Sequence, residues 1–263
     1  MFNFKEHYDI NDLIKIVEIL RSENGCPWDK VQTHKSIRSD FIEEVYEVIE
    51  AIDMDSAEML REELGDVLLQ VVFHSQIKTE EKIFCFEDVC NDICQKLVIR
   101  HPHVFGEVKV DGCEQVLTNW EQIKQQTKGQ TTYTETLESV PKTFPALMRA
   151  QKVGKRAAKS GMDFADVKDA IERLKSEIAE LEEAVAENNP DKIKDELGDV
   201  LFSCTNVARK TGVDSETALT ESTDKFISRF SKTEELIRLK EIEMNSLGID
   251  ELDEYWKQAK AQN

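Results

Sequence analysis

The sequence contains few of the residues that form turns and sheets. Only 10 glycines and 5 prolines occur among its 263 residues, and aromatic residues make up 7%. Proteins built of many short strands need turns rich in glycine and proline, so this scarcity argues against an all-β architecture. Hydrophobic residues (40%) and charged residues (33%) occur in the proportions of a soluble globular protein, and the composition favours helices.

Positive charge is outnumbered by negative charge. The chain has 34 lysines and arginines against 53 aspartates and glutamates, which gives a formal net charge of -19. A surface with this charge repels nucleic-acid backbones and anionic membranes, so we expect neither nucleic acid nor membrane as a partner. An anionic small substrate is compatible with the sequence only at a site that supplies its own cations.

The cysteines form no recognisable metal-binding pattern. None of the six belongs to a CxxC pair, and Cys90 and Cys94, which share a helix face, have no matching second pair. We expect reduced structural thiols, with zinc binding as the alternative. The sequence also shows no signal peptide and no apolar run long enough to span a membrane, so a cytoplasmic location is expected.

Two stretches of the sequence are near copies of each other. EELGDVLLQVVF at 62–73 and DELGDVLFSCTN at 195–206 align at an offset of 133. The same offset relates an earlier acidic pair in each copy, Glu44 with Glu47 and Glu177 with Glu180. Farther along the chain the offset falls to 129, which we attribute to a loop four residues longer in the first copy. Repeats of this kind predict a duplicated helical module.

The segment between the copies differs from both in composition. It is rich in threonine, shows no apolar periodicity and carries two prolines near its end, as expected of a linker over 124–145. The sequence therefore predicts an N-terminal module at 1–123 and a C-terminal module at 146–263, both nearly all helical.

The repeated stretch places acidic side chains on an otherwise apolar helix. Glu63 and Asp66 fall in one stripe of this helix, and aliphatic residues cover most of its remaining surface. We expect such a helix to be buried, with Gly65 and Gly198 allowing another helix to approach closely. The preceding helix is expected to form a core face from Phe41, Val45, Val48, Ile49 and Ile52. Buried carboxylates are costly unless cations pair with them, so the stripe predicts a binding site.

Two antiparallel helices with an acidic pair on each would bring four carboxylates together in each module. Ligands that are all oxygen suit Mg²⁺, Mn²⁺ or Ca²⁺. A di-iron site of the ferritin type needs a histidine three residues after an acid, and none of these acids has one. Mg²⁺ on carboxylates commonly binds substrate phosphates. Basic pairs one helical turn apart supply cations for those phosphates: Lys96 with Arg100, and Lys225 with Arg229.

These features resemble the signature of the MazG-type nucleoside triphosphate pyrophosphohydrolases. The EExxE motif of that family, followed by ExxD, corresponds to Glu43, Glu44 and Glu47 followed by Glu63 and Asp66. Further similar stretches are NGCPWDK (24–30), RHPHVF (100–105), PALMRAQK (145–152) and SGMDF (160–164), so the resemblance spans essentially the whole chain. It implies an all-α fold of tandem helical-bundle modules that form a homodimer, with bundles completed between subunits.

The resemblance also implies an activity. Members of the family hydrolyse nucleoside and deoxynucleoside triphosphates between the α and β phosphates, with Mg²⁺ as the cofactor and Mn²⁺ as a substitute. The products are the monophosphate and pyrophosphate, and we expect a broad range of bases. Two alternatives remain open, namely a pyrimidine-specific dNTP pyrophosphatase and a non-catalytic acidic helical module that dimerises or binds nucleotides.

The C-terminal module is usually credited with catalysis in two-module members of this family. The implied metal ligands are Glu177, Glu180, Glu196 and Asp199. The implied substrate contacts are Arg173, Lys175, Ser176, Lys192, Asp195, Asp199, Lys225, Arg229 and Trp256, although core packing is an alternative for the tryptophan. The implied catalytic residues are Glu177, Glu180, Lys225 and Arg229, with either glutamate as the general base. A second site, expected to be much slower, comprises Glu43, Glu44, Glu47, Glu63, Asp66, Lys96 and Arg100.

The sequence departs from the family pattern at a few positions. Ser176 stands where the signature has its first glutamate, and SGMDF carries Met162 and Phe164 where the pattern often reads GFDW. Met59 occupies the position that corresponds to Lys192 at the offset of 133. The first module therefore lacks a cation that the second has beside its phosphates, which favours the second as the active one.

Overall fold

Twelve α-helices and two 3-10 turns make up the regular structure of the described residues. The structure is a computed structural model that describes residues 4–127 and 129–261, and no strand occurs in this part of the chain. The all-α prediction is confirmed. Within the same residues, no helix is both long enough and apolar enough to cross a membrane.

The chain divides into two compact units, Met1–Lys124 and Gln125–Asn263. The first unit contains α1 (Ile10–Arg21), α2 (Arg38–Asp53), α3 (Ala57–Glu80), α4 (Phe86–Arg100), α5 (Pro102–Phe105) and most of α6 (Cys113–Thr127). The second unit contains α7 (Tyr133–Glu138), α8 (Ala146–Ala158), α9 (Val167–Ala186), α10 (Pro190–Thr211), α11 (Ser215–Arg238) and α12 (Ile249–Ala261).

Side-chain caps fix where the two acidic helices of the second unit begin. The Asp166 side chain accepts hydrogen bonds from two backbone amides at the start of α9, and the Asn189 side chain does the same for α10. Pro190 is the first residue of α10, where its missing N–H costs nothing. The helix ends at Gly212, whose φ of 74° is the left-handed conformation that glycine adopts without strain.

The helices that carry the repeated acidic stretch differ slightly in length. α3 has 24 residues and α10 has 22. The segment that follows α3 (81–85) is also two residues longer than the one that follows α10 (212–214). The four extra residues of the first copy are therefore shared between helix and loop, which corrects the expectation that all of them lie in the loop.

The core of the first unit forms where α1 packs against the C-terminal half of α3. Its buried members are Val17, Ile37, Val72, Phe73 and Ile77. The Arg21 side chain lies at the edge of this core, with its guanidinium carbon 4.9 Å from the centre of the Phe73 ring. Arg21 Nε donates to Glu80 at 2.8 Å, and Arg21 Nη1 donates to the carbonyl oxygen of Asp29 at 2.6 Å. This arginine therefore ties the loop after α1 to the end of α3.

Two histidines join the segment before α2 to α3 in the first unit. Nδ1 of His34 and Nδ1 of His74 lie 2.7 Å apart, and their rings are within 4° of parallel. At this distance one nitrogen is protonated and donates a hydrogen bond that the other accepts. The second copy has no such pair, because Val167 and Val207 stand at the positions offset by 133.

A glycine lets α8 pack closely on α10 in the second unit. A Cβ atom on Gly154 would lie 2.9 Å from Asn206 Oδ1, closer than side chains tolerate. By contrast, no described atom lies within 4 Å of a Cβ built on Gly65 or Gly198. The expectation that those two glycines allow close helix approach is therefore wrong within this chain.

The acidic helices are less buried in the single chain than their composition suggests. On α3, Leu64 and Leu68 are exposed, and only the C-terminal half reaches the core. On α2, the predicted core-face residues Val45, Ile49 and Ile52 are exposed as well. The prediction of a fully buried acidic helix is therefore wrong for the single chain.

The predicted linker is more ordered than its composition suggests. It includes α7, which begins with a capping box between Thr132 and Glu135. The Arg156 side chain on α8 donates hydrogen bonds to the Thr136 carbonyl and to the Ser139 hydroxyl. This part of the segment therefore packs as a helix of the second unit, while Lys128 lies outside the described residues. The module boundaries at 123 and 146 remain predictions.

Candidate active site

Three carboxylates meet where α9 and α10 pack against each other. Glu177 comes from α9, and Glu196 and Asp199 lie one turn apart on α10. One oxygen of each lies within 4.8 Å of the others, a spacing that a single metal ion can bridge. We call these three residues the second-unit cluster. The helix spacing brings together three of the four implied metal ligands.

Glu177 is the buried member of the second-unit cluster. The residue is 4% exposed, and its Oε1 forms an ion pair with Arg173 Nε at 2.6 Å. Its other oxygen, Oε2, is buried without a hydrogen-bond partner. A buried carboxylate oxygen without a partner is costly, and a divalent cation would satisfy it. Together with the all-oxygen ligand set, this orphaned atom fits a hard cation such as Mg²⁺ or Mn²⁺.

Glu180, the fourth implied ligand, lies beside the second-unit cluster. Its Oε1 accepts a hydrogen bond from the Ser176 hydroxyl at 3.0 Å and lies 3.7 Å from Arg173 Nη1. Ser176 is therefore in contact with an implied ligand although it cannot supply a carboxylate itself. Burial raises the pKa of Glu196, and so does the negative charge of its neighbours, first among them Glu180. The four acids thus repel one another, as expected of a site built to receive a cation.

The first unit has a matching cluster on α2 and α3. Glu44, Glu63 and Asp66 also offer three oxygens within 4.8 Å of one another, and we call them the first-unit cluster. Burial and the charge of Asp66 raise the pKa of Glu44, and burial and the charge of Glu47 raise that of Glu63. Glu43, the remaining signature acid, is exposed on α2. The sequence repeat is therefore a repeat of site geometry.

The two clusters differ in their nearest cations. Asp40 stands in the first unit where Arg173 stands in the second, at the offset of 133. Among the residues that the structure describes, no lysine or arginine forms an ion pair with the first-unit cluster. Lys192 of α10 pairs with Glu187 at 2.6 Å, and this hydrogen bond raises the pKa of the lysine, with a smaller contribution from the charge of Glu196. Within the described residues, the second-unit cluster is therefore the one with a cation in direct contact, Arg173 with Glu177.

The basic pairs predicted to hold phosphates lie on α4 and α11. Lys225 and Arg229 are one turn apart on α11, and neither forms an ion pair within the described part of the chain. Arg229 Nε and its counterpart Arg100 Nε are buried without hydrogen-bond partners, while Lys96 is exposed on α4. These guanidinium groups therefore keep unused hydrogen-bonding capacity.

Three further implied substrate contacts differ in exposure: Lys175 and Asp195 lie at the surface, whereas Trp256 packs against another ring. Lys175 pairs with Glu172 on the exposed side of α9 at 2.8 Å, and Asp195 is exposed next to Glu196 on α10. The Trp256 ring packs against Phe226 with ring centres 5.1 Å apart, beside a cavity of about 420 Å³ between α11 and α12. Within the single chain, packing thus sets the position of this tryptophan.

Sequence reasoning missed the ion cluster that holds the SGMDF segment. Arg209 Nη2 donates to Asp163 Oδ1 at 2.6 Å, and Lys210 Nζ donates to Asp163 Oδ2 at 2.8 Å. The segment lines a largely apolar cavity of about 430 Å³ together with Phe202 and Asn206 of α10. Asn206 continues the acidic stripe, seven residues after Asp199 and so on the same helix face. Helical periodicity could therefore have identified Asn206, whereas no pattern in the sequence indicates the pairing of Asp163.

Comparison with known proteins places both clusters in matched regions. A model described as the MazG nucleotide pyrophosphohydrolase domain matches residues 32–105 and 166–233. The chain is 45% identical to a Thermotoga maritima protein named nucleoside triphosphate pyrophosphohydrolase/pyrophosphatase MazG, over 95% of this chain and 94% of that one. It is 40% identical to an Escherichia coli K12 protein named nucleoside triphosphate pyrophosphohydrolase, over 96% and 97% respectively. A Mycolicibacterium smegmatis protein of the same name is 38% identical over 57% of this chain and 46% of its own length.

Proposed function

The chain belongs to the MazG nucleotide pyrophosphohydrolase family, and from this premise we propose that it hydrolyses nucleoside and deoxynucleoside triphosphates to the monophosphate and pyrophosphate. The observation that carries the proposal is the second-unit cluster, where three carboxylates converge and a buried oxygen of Glu177 has no partner. Relatives that match nearly the whole chain carry names for this activity, which supports the reaction class.

Mg²⁺ is the proposed cofactor, held by Glu177, Glu196 and Asp199 with Glu180 alongside. Bound there, Mg²⁺ would supply charge neutralisation of the triphosphate and would lower the pKa of a water molecule. Mn²⁺ has the same preference for oxygen ligands and is expected to substitute.

In the proposed hydrolysis at the α-phosphorus, different residues of the chain have different roles. A water oxygen forms a bond to the α-phosphorus, and the bond from that phosphorus to the bridging oxygen breaks, releasing pyrophosphate. Glu177 or Glu180 accepts the proton of the water, because both lie at the cluster. Lys225 and Arg229 stabilise the negative charge that develops on pyrophosphate, and Arg229 Nε has no competing partner within the described chain.

We assign catalysis to the second unit. Its cluster is bordered by Arg173 and Lys192, whereas the first-unit cluster has Asp40 and Met59 at the corresponding positions. A triphosphate bound at the first-unit cluster would therefore meet one more negative charge and two fewer positive charges. A charge-assisted hydrogen bond contributes about 1.5–3 kcal/mol, so this difference is enough to leave the first unit much slower.

A second copy of the chain is the proposed partner, as a homodimer. The outer faces of α9 and α10 expose large aliphatic side chains, including Ile178 (41%), Leu197 (46%) and Leu201 (48%). Several large aliphatic side chains exposed on one helix pair are typical of a protein–protein interface. We expect light scattering to give twice the chain mass, and Leu197→Gln with Leu201→Gln to shift the protein towards the monomer. A monomeric wild-type protein would contradict this proposal.

The activity is tested by measuring pyrophosphate and orthophosphate release from each of the common nucleoside and deoxynucleoside triphosphates with Mg²⁺. We expect pyrophosphate from most of them, and loss of release in Glu196→Gln. Glu182→Gln is the matched control, because Glu182 is an exposed acid of α9 outside the cluster. Activity confined to one pyrimidine nucleotide would favour the specialist enzyme. Orthophosphate alone would contradict attack at the α-phosphorus, and silence across the panel would favour the non-catalytic module.

A further inference from the structure

Arg173 holds one oxygen of Glu177, the carboxylate whose other oxygen, Oε2, has no partner and would meet the metal. Its Nε lies 2.6 Å from Glu177 Oε1, and its Nη1 lies 3.7 Å from Glu180 Oε1. The Glu177 side chain is 5% exposed, whereas the Arg173 side chain is 50% exposed. The carboxylate is therefore fixed by its surroundings, while the guanidinium is free to leave through solvent.

A divalent cation at the second-unit cluster changes the balance of charge around Arg173. In the metal-free protein the guanidinium is attracted to two glutamates. A dication offsets two of the four negative charges of Glu177, Glu180, Glu196 and Asp199 and repels the guanidinium, so the net attraction that holds Arg173 weakens. A bound triphosphate then offers the nearest new negative charge, and a guanidinium suits phosphate oxygens well.

We propose that Arg173 exchanges partners, holding Glu177 in the metal-free protein and the triphosphate in the metal-bound protein. This makes Arg173 a positioning residue that couples metal binding to nucleotide binding. The inference rests on the proposed function, because it takes the second-unit cluster to be the metal site and a triphosphate to be the ligand.

The first unit supports this assignment by contrast. It has the same three-carboxylate geometry but Asp40 in place of the arginine. The geometry of the cluster therefore does not require Arg173, so the arginine is not needed merely to assemble the carboxylates. Its presence in the second unit alone is consistent with a role in the working site.

The test measures metal binding and nucleotide binding separately, in the full-length chain. Glu63→Gln with Asp66→Asn forms the parent background, so that only the second-unit cluster binds metal. Mn²⁺ affinity is measured by calorimetry or electron paramagnetic resonance without nucleotide. Affinity for α,β-methylene ATP, which cannot be cleaved between its α and β phosphates, is then measured with and without Mn²⁺.

Arg173→Gln is expected to bind Mn²⁺ about fivefold more tightly than the parent, because a competing cation is gone. In the parent, Mn²⁺ should increase the affinity for the analogue. In Arg173→Gln this increase should be about tenfold smaller, because the coupling between metal binding and nucleotide binding is lost. Lys168→Gln is the matched control. It removes the same charge from the same helix, at an exposed position in its first turn that belongs to neither the cluster nor the implied substrate contacts. It should match the parent in both measurements.

Two results would overturn the exchange. Weaker Mn²⁺ binding in Arg173→Gln would mean that the arginine stays on Glu177 and orients it as a fixed outer partner of the metal. Unchanged Mn²⁺ binding and unchanged coupling would mean that the contact has no role at the site. In both cases the parent still binds Mn²⁺, so the metal site survives. Failure of the parent to bind Mn²⁺ would remove the metal site of the proposed function together with the exchange.

Discussion

Replacing Asp163 by asparagine tests how strongly one carboxylate holds the SGMDF segment against α10. The Asp163 carboxylate accepts from Arg209 at 2.6 Å and from Lys210 at 2.8 Å, and one of its oxygens also accepts from the backbone amide of Phe164. The side chains are 27% exposed for the aspartate, 12% for the arginine and 17% for the lysine. The substitution would therefore leave two largely buried cations without a counter-charge.

We expect Asp163→Asn to lower the free energy of unfolding of the second unit by about 2–4 kcal/mol. Breaking a fully buried pair costs about 3–5 kcal/mol and exposed pairs contribute less than about 1 kcal/mol, and this partly exposed cluster lies between the two. The change is measured by urea unfolding in a background where Trp28 and Trp120 are phenylalanine. The fluorescence signal then comes from Trp256, the only tryptophan of the second unit. Glu172→Gln, which breaks the exposed pair with Lys175, is the control and should cost less than about 1 kcal/mol.

The same cluster predicts a dependence on acid. Hydrogen bonds from Arg209 and Lys210 hold the pKa of Asp163 far below its ordinary value of 3.8. The unfolded chain therefore binds a proton first, so this contribution is fully present above about pH 4 and is lost as pH falls further. Asp163→Asn should lack this part of the acid dependence. A change below about 0.5 kcal/mol at neutral pH, together with an unaltered acid profile, would refute the reasoning.

The remaining predictions concern the two units and the phosphate contacts. Glu196→Gln should abolish pyrophosphate release, whereas Glu63→Gln should retain most of it; equal losses would contradict the assignment of catalysis to the second unit. Lys225→Ala should weaken nucleotide binding more than Mn²⁺ binding, as measured by calorimetry, and the reverse order would exclude a phosphate role. Burial and the charge of His34 lower the pKa of His74, so the first unit should lose stability as pH falls below about 6.5, where the unfolded histidine gains its proton. His74→Gln should flatten that dependence, while the second unit, with Val207 at the matching position, should not show it; hydrogen exchange of each unit at pH 7.5 and 5.5 provides the measurement.

The acidic clusters were predictable because they depend on local spacing. Glu196 and Asp199 are three residues apart on one helix, and the repeat at an offset of 133 shows the same arrangement twice. A hairpin of two helices then brings Glu177 close without any long-range information. Helical periodicity was enough to predict three of the four acids in each unit, whereas Glu47 and Glu180 do not belong to the groups that meet.

Other features needed information that spacing does not contain. The exposure of Leu197 and Leu201 depends on what covers the helix pair, and an apolar pattern is the same whether the cover is the same chain or another. The pairing of Asp163 with Arg209 joins residues 46 positions apart, which no local pattern reveals. The helix α7 is an intermediate case, because the capping box of Thr132 and Glu135 was visible in a segment whose composition indicated a linker.

The close packing at Gly154 has a consequence for how this protein tolerates change. Asn206, which a methyl group at position 154 would meet, is buried and donates to the Phe202 carbonyl, so it has little room to move aside. Alanine at this position would crowd Asn206 and would lie 3.4 Å from Arg209 Nε, so either these side chains or α8 itself would have to shift. Such a substitution is a natural starting point for a temperature-sensitive form of the protein, folded in the cold and lost on warming. The absence of a Cβ atom at position 154 therefore helps to set the temperature range over which the second unit stays folded.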